Sequence, residues 1–400
     1  MYTIADTDML VEESVISEKA AGIIKERARG AMVALAINAV LCTGILFATF
    51  GLIFWLADAF AVAVSGLILV TAGALVLRKG ALLYAMFGNA AALIGAGMLI
   101  GGAGFELTEN FRYIAGPVMA LAGAVLVCLA AWARAGRHVS TAFLSGSVML
   151  MALALHLTGA GFMVWDAEMS GLPVSAFWLY CAVLVAGAGW LTNVRLVSAL
   201  AIVPFAQMLD TGTLYFHAAY VFYSPEATLS ILQMTLLIVT MLWLAQRMPE
   251  RLARHARIHV MMGFVVANLC ALVGSLWGDV VGETVWGPGA RWSNRGLAYQ
   301  EWSDLVTAFR ASALVISEHV FTILWAVALA GIMFVAAHKN QRGLFNAAVT
   351  FAGIHAYTQM FETFYSEPLA YVIGGFAAIP LAWGMWRLNI WFLQRSPAQA

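Results

Sequence analysis

The sequence predicts an all-α, polytopic transmembrane helix bundle of about twelve spans, with both termini on the cytoplasmic side. Three observations predict it. The first is composition: of 400 residues, 62% are hydrophobic and 10% charged, where a soluble domain carries about 25% charged residues. The second is a series of apolar runs, each near the roughly 20 residues a helix needs to cross about 30 Å of hydrocarbon. The third is the sorting of lysine and arginine between alternate connections.

The runs fall at about 31–57, 59–77, 81–104, 112–133, 141–164, 174–192, 196–222, 226–246, 259–277, 312–337, 344–363 and 368–387. They are long and do not alternate, which excludes β-barrel strands. With the N-terminus inside, every Lys and Arg falls on the inner side except Arg112, Arg291, Arg295 and Arg310. A missed span would invert the sides beyond it and scramble this segregation. Pro173, Pro225 and Pro368 stand at helix starts, where a missing N–H costs nothing. Tryptophans such as Trp55, Trp132, Trp165 and Trp277 collect at run ends, the position of an interfacial aromatic belt.

Three segments lie outside the runs. Residues 1–30 open with Asp6, Asp8, Glu12 and Glu13, unlike a cleavable signal. They predict a small cytoplasmic helix with Ser17 as N-cap and Glu18 in the first turn. Residues 247–257 read as a basic cytoplasmic link, and 278–311 as the one sizeable external loop. Residues 388–400 form a cytoplasmic tail. The four cysteines, Cys42, Cys128, Cys181 and Cys270, sit in different runs without ligand spacing. They read as small buried hydrophobes, and no metal or other cofactor is expected.

Ionisable groups inside spans are costly, so each is a candidate for binding a substrate or ion. A rise of 1.5 Å per residue places Asp210, His156 and Gln359 about 21–22 Å from the inner edge of their runs. Glu318 falls about 9 Å from the outer edge, in the same layer. His319 follows it, and His355 lies one turn below Gln359 on one face. Asp210 has the most specific context. Pro204 removes a backbone hydrogen bond upstream, Asp210-Thr211-Gly212-Thr213 is a poor helical stretch, and His217 lies two turns further on. A Pro/Gly-interrupted span with a carboxylate at the break is a common way to build a transporter site. The bland alternative for each histidine is a satisfied core residue, and for Glu318 an ion pair with Arg310. Two histidines could ligate haem, but no spacing selects that. Asn38, Asn89 and Asn268 read as interhelical glue, and Gly97 with Gly101 as a close-packing GxxxG.

The stretch LVEESVISEKAAGIIKERAR at 10–29 and the stretch AYTQMFETFYSEPLAYVIGGFAAIPLAWGMWRLN at 356–389 resemble the two ends of a family of bacterial polytopic membrane proteins with a domain of unknown function. The resemblance implies a bacterial inner-membrane location and brings no activity with it. The short connection Arg78-Lys79-Gly80 lacks the motif of a major-facilitator transporter, and no P-loop, HExxH or GxSxG is present. An enzyme is not expected. Two readings remain. The interrupted seventh run tips the balance to a secondary transporter or permease-like protein, with Asp210 and Glu318 coupling to a small solute or proton. The alternative is a non-transporting scaffold or accessory subunit. The expected partners are the lipid bilayer and, through small-residue helix faces, other copies or other subunits. Nucleic acid is not among them.

Overall fold

Apolar runs without breakers satisfy their backbone internally, and this chain does so almost wholly with helices. The computed structural model describes residues 7–56, 58–79, 85–135, 142–216, 219–288 and 297–363, with short helical stretches within 368–387. The last expected span therefore lies largely outside the described residues, as does His217. The chain divides into two compact units, Met1–Met163 and Val164–Ala400.

The first unit opens with α1 (Thr7–Glu12) and α2 (Glu18–Leu56). Ser17 caps α2 as its sequence predicts, its Oγ accepting from Ala20 N–H at 3.2 Å. The cytoplasmic helix and the first expected span are thus one continuous helix of 39 residues. Lys25 on α2 pairs with Asp8 on α1 at 2.6 Å. Next come α3 (Ala59–Lys79), α4 (Ala85–Asn110), α5 (Arg112–Ala135) and α6 (Ala142–Asp166).

Small residues decide the packing here. Gly66 and Gly73 on α3 face Gly95 and Gly88 on α4, and Gly102 faces Ala59 and Ala63. A Cβ on Gly66, Gly73, Gly95 or Gly102 would strike the backbone of the opposite helix. The seam between α3 and α4 is therefore a seven-residue glycine repeat, Gly88, Gly95, Gly102, and the Gly97/Gly101 pair, expected to pack within the chain or against a partner, is not part of it; Gly101 is exposed. Gly116, Gly123 and Gly159 bring α5 and α6 together in the same way.

The second unit contains α7 (Leu172–Thr192), α8 (Arg195–Leu200), α9 (Ile202–Gln207), β1 (Gly212–Phe216), β2 (Ala219–Tyr223), α10 (Ala227–Arg247), α11 (Glu250–Trp277), β3 (Asp279–Val280), α12 (Tyr299–Ser312), β4 (Val315–Ile316), α13 (Glu318–His338) and α14 (Arg342–Thr363). The seventh expected span is not one helix. It is α8 and α9, a turn, and the antiparallel ribbon β1–β2. Leu-Tyr-Phe and Tyr-Val-Phe are as apolar as a span but rich in strand-forming aromatic and β-branched residues. Ser198 lies beside His255 near the start of α11, whereas Met208 O accepts from Ser175 Oγ near the start of α7. The segment still runs from one end of the unit to the other.

Two boundaries also shift. The basic link expected at 247–257 shrinks to Met248 and Pro249, because Pro249 N-caps α11 and Glu250 supplies an acid to its first turn. Arg251, Arg254 and Arg257 ride on helix. The expected external loop holds α12, and its β3 pairs with β4. The tenth expected span begins at Glu318 rather than Ser312, since Ala313–Ile316 is extended.

Eight described helices, α3–α7, α10, α11 and α13, are long and apolar enough to cross a membrane. Large apolar side chains stand on their outer surfaces, Trp132 at 78% and Trp165 at 80% exposure among them. In water this surface would be untenable; in lipid it is solvated. The second unit's core joins Phe264, Trp325, Leu329 and Phe351 from α11, α13 and α14, with a smaller cluster of Ile202, Ala206, Met234 and Cys270.

Candidate functional site

The polar chemistry of the second unit concentrates where α9 ends and α10 begins. Pro204 sits inside α9, which stops at Gln207. Asp210 then takes a left-handed conformation, φ 61°, which an Asp tolerates better than most residues. Gly212, two residues on, starts β1. The carbonyls freed by the break are not left open. Gln233 Nε2 donates to Phe205 O at 2.7 Å, Ser175 Oγ donates to Met208 O at 2.9 Å, and Thr211 N–H returns to Ala206 O. Thr211, Ser224 and Ser230 form a buried hydroxyl cluster, with Thr211 Oγ1 2.6 Å from Ser230 Oγ and 3.2 Å from Ser224 Oγ.

Two buried carboxylates complete this cap. Glu226, 4% exposed, accepts from Gly282 N–H at 2.7 Å and Thr284 N–H at 3.0 Å. Asp279, 5% exposed, accepts from Thr228 N–H at the start of α10 at 2.8 Å. Charge-assisted bonds of this kind are the strong ones, and they offset the cost of burying each anion. The helix start adds a favourable field for Asp279. Gly282 has φ 89°, a conformation that suits glycine. On the surface, Arg310 of α12 holds Glu283 through two nitrogens at 2.6 and 3.2 Å. Glu283 keeps the Arg310 guanidinium protonated beyond its already high value. Burial first, and then the Glu283 charge, raise the Tyr223 phenol above a tyrosine's ordinary range, with Arg310 opposing.

The expected candidates do not share one site. Asp210 is engaged at the break. Glu318 is the first residue of α13, at 47% side-chain exposure, and lies 3.7 Å from His319, which is 77% exposed. The pair therefore belongs to the helix start rather than to a depth of six residues within it. His355 packs edge-on against Trp325, ring centroids 4.7 Å apart. Trp325 Nε1–H in turn donates to Asn268 Oδ1 at 2.8 Å. Asn268 thus serves as the glue its sequence position suggests. Gln359 lies one turn along α14 from His355, and His156 belongs to the first unit, its Nδ1 2.6 Å from Ala120 O where α5 and α6 cross closely.

Sequence reasoning missed Glu226, Asp279, Ser224, Ser230 and Thr211. The signal for Glu226 was readable: an acid directly after Pro225, just before a helix. Among the described residues no group of three or more His, Cys, Asp or Glu is placed to hold a metal. A cavity of about 410 Å³ between α10, α11 and α13 is walled almost entirely by apolar side chains, with Asn268 and Trp325 in its lining.

These features define a helical, membrane-embedded protein with a polar cap on its second unit. Comparison with family models, with curated proteins and with solved structures finds no match to the chain.

Proposed function

We propose that the protein is a non-transporting membrane scaffold or accessory subunit, whose second unit presents a rigid cap to partners. One observation carries the reading: the freed carbonyls at the helix break and the two buried carboxylates beside it are held by donors of the protein itself, although Thr228 Oγ1, Gln233 Oε1 and Thr284 Oγ1 stay buried without a partner among the described residues. The carbonyls after Pro204 are met by Ser175 and Gln233, and the Glu226 and Asp279 carboxylates by backbone N–H groups. A carboxylate that binds a transported ion must be able to exchange partners, whereas one that fixes a loop need only keep them. On the cap, α12 sets Trp302, Val306 and Phe309 along one stripe and buries none of its residues fully. Such a helix suits a docking or interfacial surface.

A second reading, a secondary transporter or permease-like protein, draws on the interrupted segment itself, with Asp210 in a left-handed turn between α9 and β1. The two readings part on ionisable groups. Asp210→Asn with Glu318→Gln keeps shape and removes both charges. The scaffold reading expects this double variant to restore every phenotype of a deletion strain and to leave pH-dependent solute uptake in proteoliposomes unchanged. Loss of uptake with normal insertion would return the argument to transport.

A further inference from the structure

At the opposite end of the second unit lies a cleft of about 400 Å³ bounded by α7, α9, α10 and α11. On α7 its lining runs from Leu179 to Trp190, and on α10 from Leu237 to Met248. Each stretch is about 16 Å long, close to half the roughly 30 Å hydrocarbon thickness. Val183 and Trp190 are 60% and 41% exposed on its rim, so the cleft opens on the outer surface. Its walls are otherwise apolar, except on α11. There Arg251 at the mouth, and His255 and His259 in the lining, follow one another at a turn's spacing.

Side chains at this end of the cleft point to a ligand. Arg251 is held at the mouth, donating to Trp190 O at 2.9 Å. Arg247 ends α10 beside Met248, its guanidinium over the Trp243 ring. His255 is saturated by Ser198 and Asn193. His259 is not: its Nδ1 donates to His255 O at 2.8 Å, and its Nε2 is buried with no partner among the described residues. The nearby acid, Glu250, is already paired with Arg257. Sorting of positive charge to one side accounts for arginines at this end. It does not account for an apolar cleft one leaflet deep beneath them, with an unsatisfied imidazole in its wall.

We propose that this cleft binds an anionic phospholipid of the adjoining leaflet. The phosphate lies against Arg247 and Arg251, and one acyl chain lies between α7 and α10 and passes His259, about 12 Å further along α11 than Arg251. That is the order in which a phospholipid presents charge and hydrocarbon, and basic sites between helix ends suit such headgroups. The inference stands whether or not a solute crosses the protein.

The full chain would be placed in phosphatidylcholine nanodiscs and titrated with phosphatidylglycerol brominated on its acyl chains, following tryptophan quenching. Expected is a component that saturates at low mole fraction and shrinks in Trp190→Phe. Brominated phosphatidylcholine should give no such component. Arg247→Gln, which removes the guanidinium over the Trp243 ring and leaves the α7 cap intact, should weaken the saturable component about fivefold. Quenching that rises linearly and equally for both headgroups overturns the proposal. So does a saturable component that Arg247→Gln leaves unchanged, or one that Trp190→Phe leaves undiminished.

Discussion

The two units hold their helices together by different balances of close packing and hydrogen bonding, although Gly189 also meets the Ser198 backbone in the second unit and His156 bonds to Ala120 O in the first. In the first, α3 meets α4 through Gly66, Gly73, Gly88, Gly95 and Gly102, backbone against backbone. In the second, α11 meets its neighbours through Asn268, Trp325, His255 and Ser198, and the loops are tied by Glu226 and Asp279. Lipid tails are as apolar as leucine, so burying apolar area alone does not hold two helices together in a membrane. What remains is close packing or hydrogen bonding. Close packing requires regular, uninterrupted helices that meet over many turns. Hydrogen bonding tolerates breaks and ribbons, because each bond fixes one point.

The comparison breaks most sharply at the glycine seam. Gly73→Leu places a side chain where the backbone of Ala92 already lies. The helices must part, and we expect a loss of about 3 kcal/mol or more, read as failure to recover folded protein after detergent extraction. Glu226→Ala tests the other mode. It strands two buried N–H groups, Gly282 and Thr284, and should cost about 2–4 kcal/mol, with hydrogen exchange rising first in residues 279–284. Trp325→Phe removes one bond to Asn268 within the helix core. Such bonds contribute about 0.5–2 kcal/mol, so the thermal midpoint should fall by a few degrees without loss of expression. Gly187→Ala sharpens the contrast from the other side. Nothing lies within 4 Å of a Cβ there, and because alanine favours helix by roughly 1 kcal/mol, stability should hold or rise slightly. A large loss at Gly187 would mean that α7 depends on a close contact there as it does at Gly189, whose Cβ would strike Ser198.

Much of this division was legible in the sequence. The apolar runs mark α3 to α7, α10 and α11, because hydropathy and length are local properties. Ser17 marks the start of α2, and Pro204 with Gly212 marks the broken segment. The ribbon β1–β2 was hidden because a twelve-residue apolar stretch looks the same to hydropathy as helix or as paired strand. The glycine seam was readable at a spacing of seven and was missed at a spacing of four. Of the cap only the helix start after Pro225 was readable: Glu226 finds its partners 56 and 58 residues away, and those partners are backbone groups that carry no residue signature. Asp210, Glu318 and His355 each stood at a plausible depth, but depth along a helix says nothing about which faces meet.

The continuity of α2 has a mechanical side. At 39 residues it measures about 58 Å, nearly twice the roughly 30 Å of a bilayer's hydrocarbon. Between Glu18 and Leu56 there is no proline, and the helix runs without interruption. A rod of this kind has no joint along its length. Whatever pushes on the turns around Lys25, where α1 is clamped, applies torque to the turns beyond Ala31. Force would travel along α2 as through the shaft of an oar.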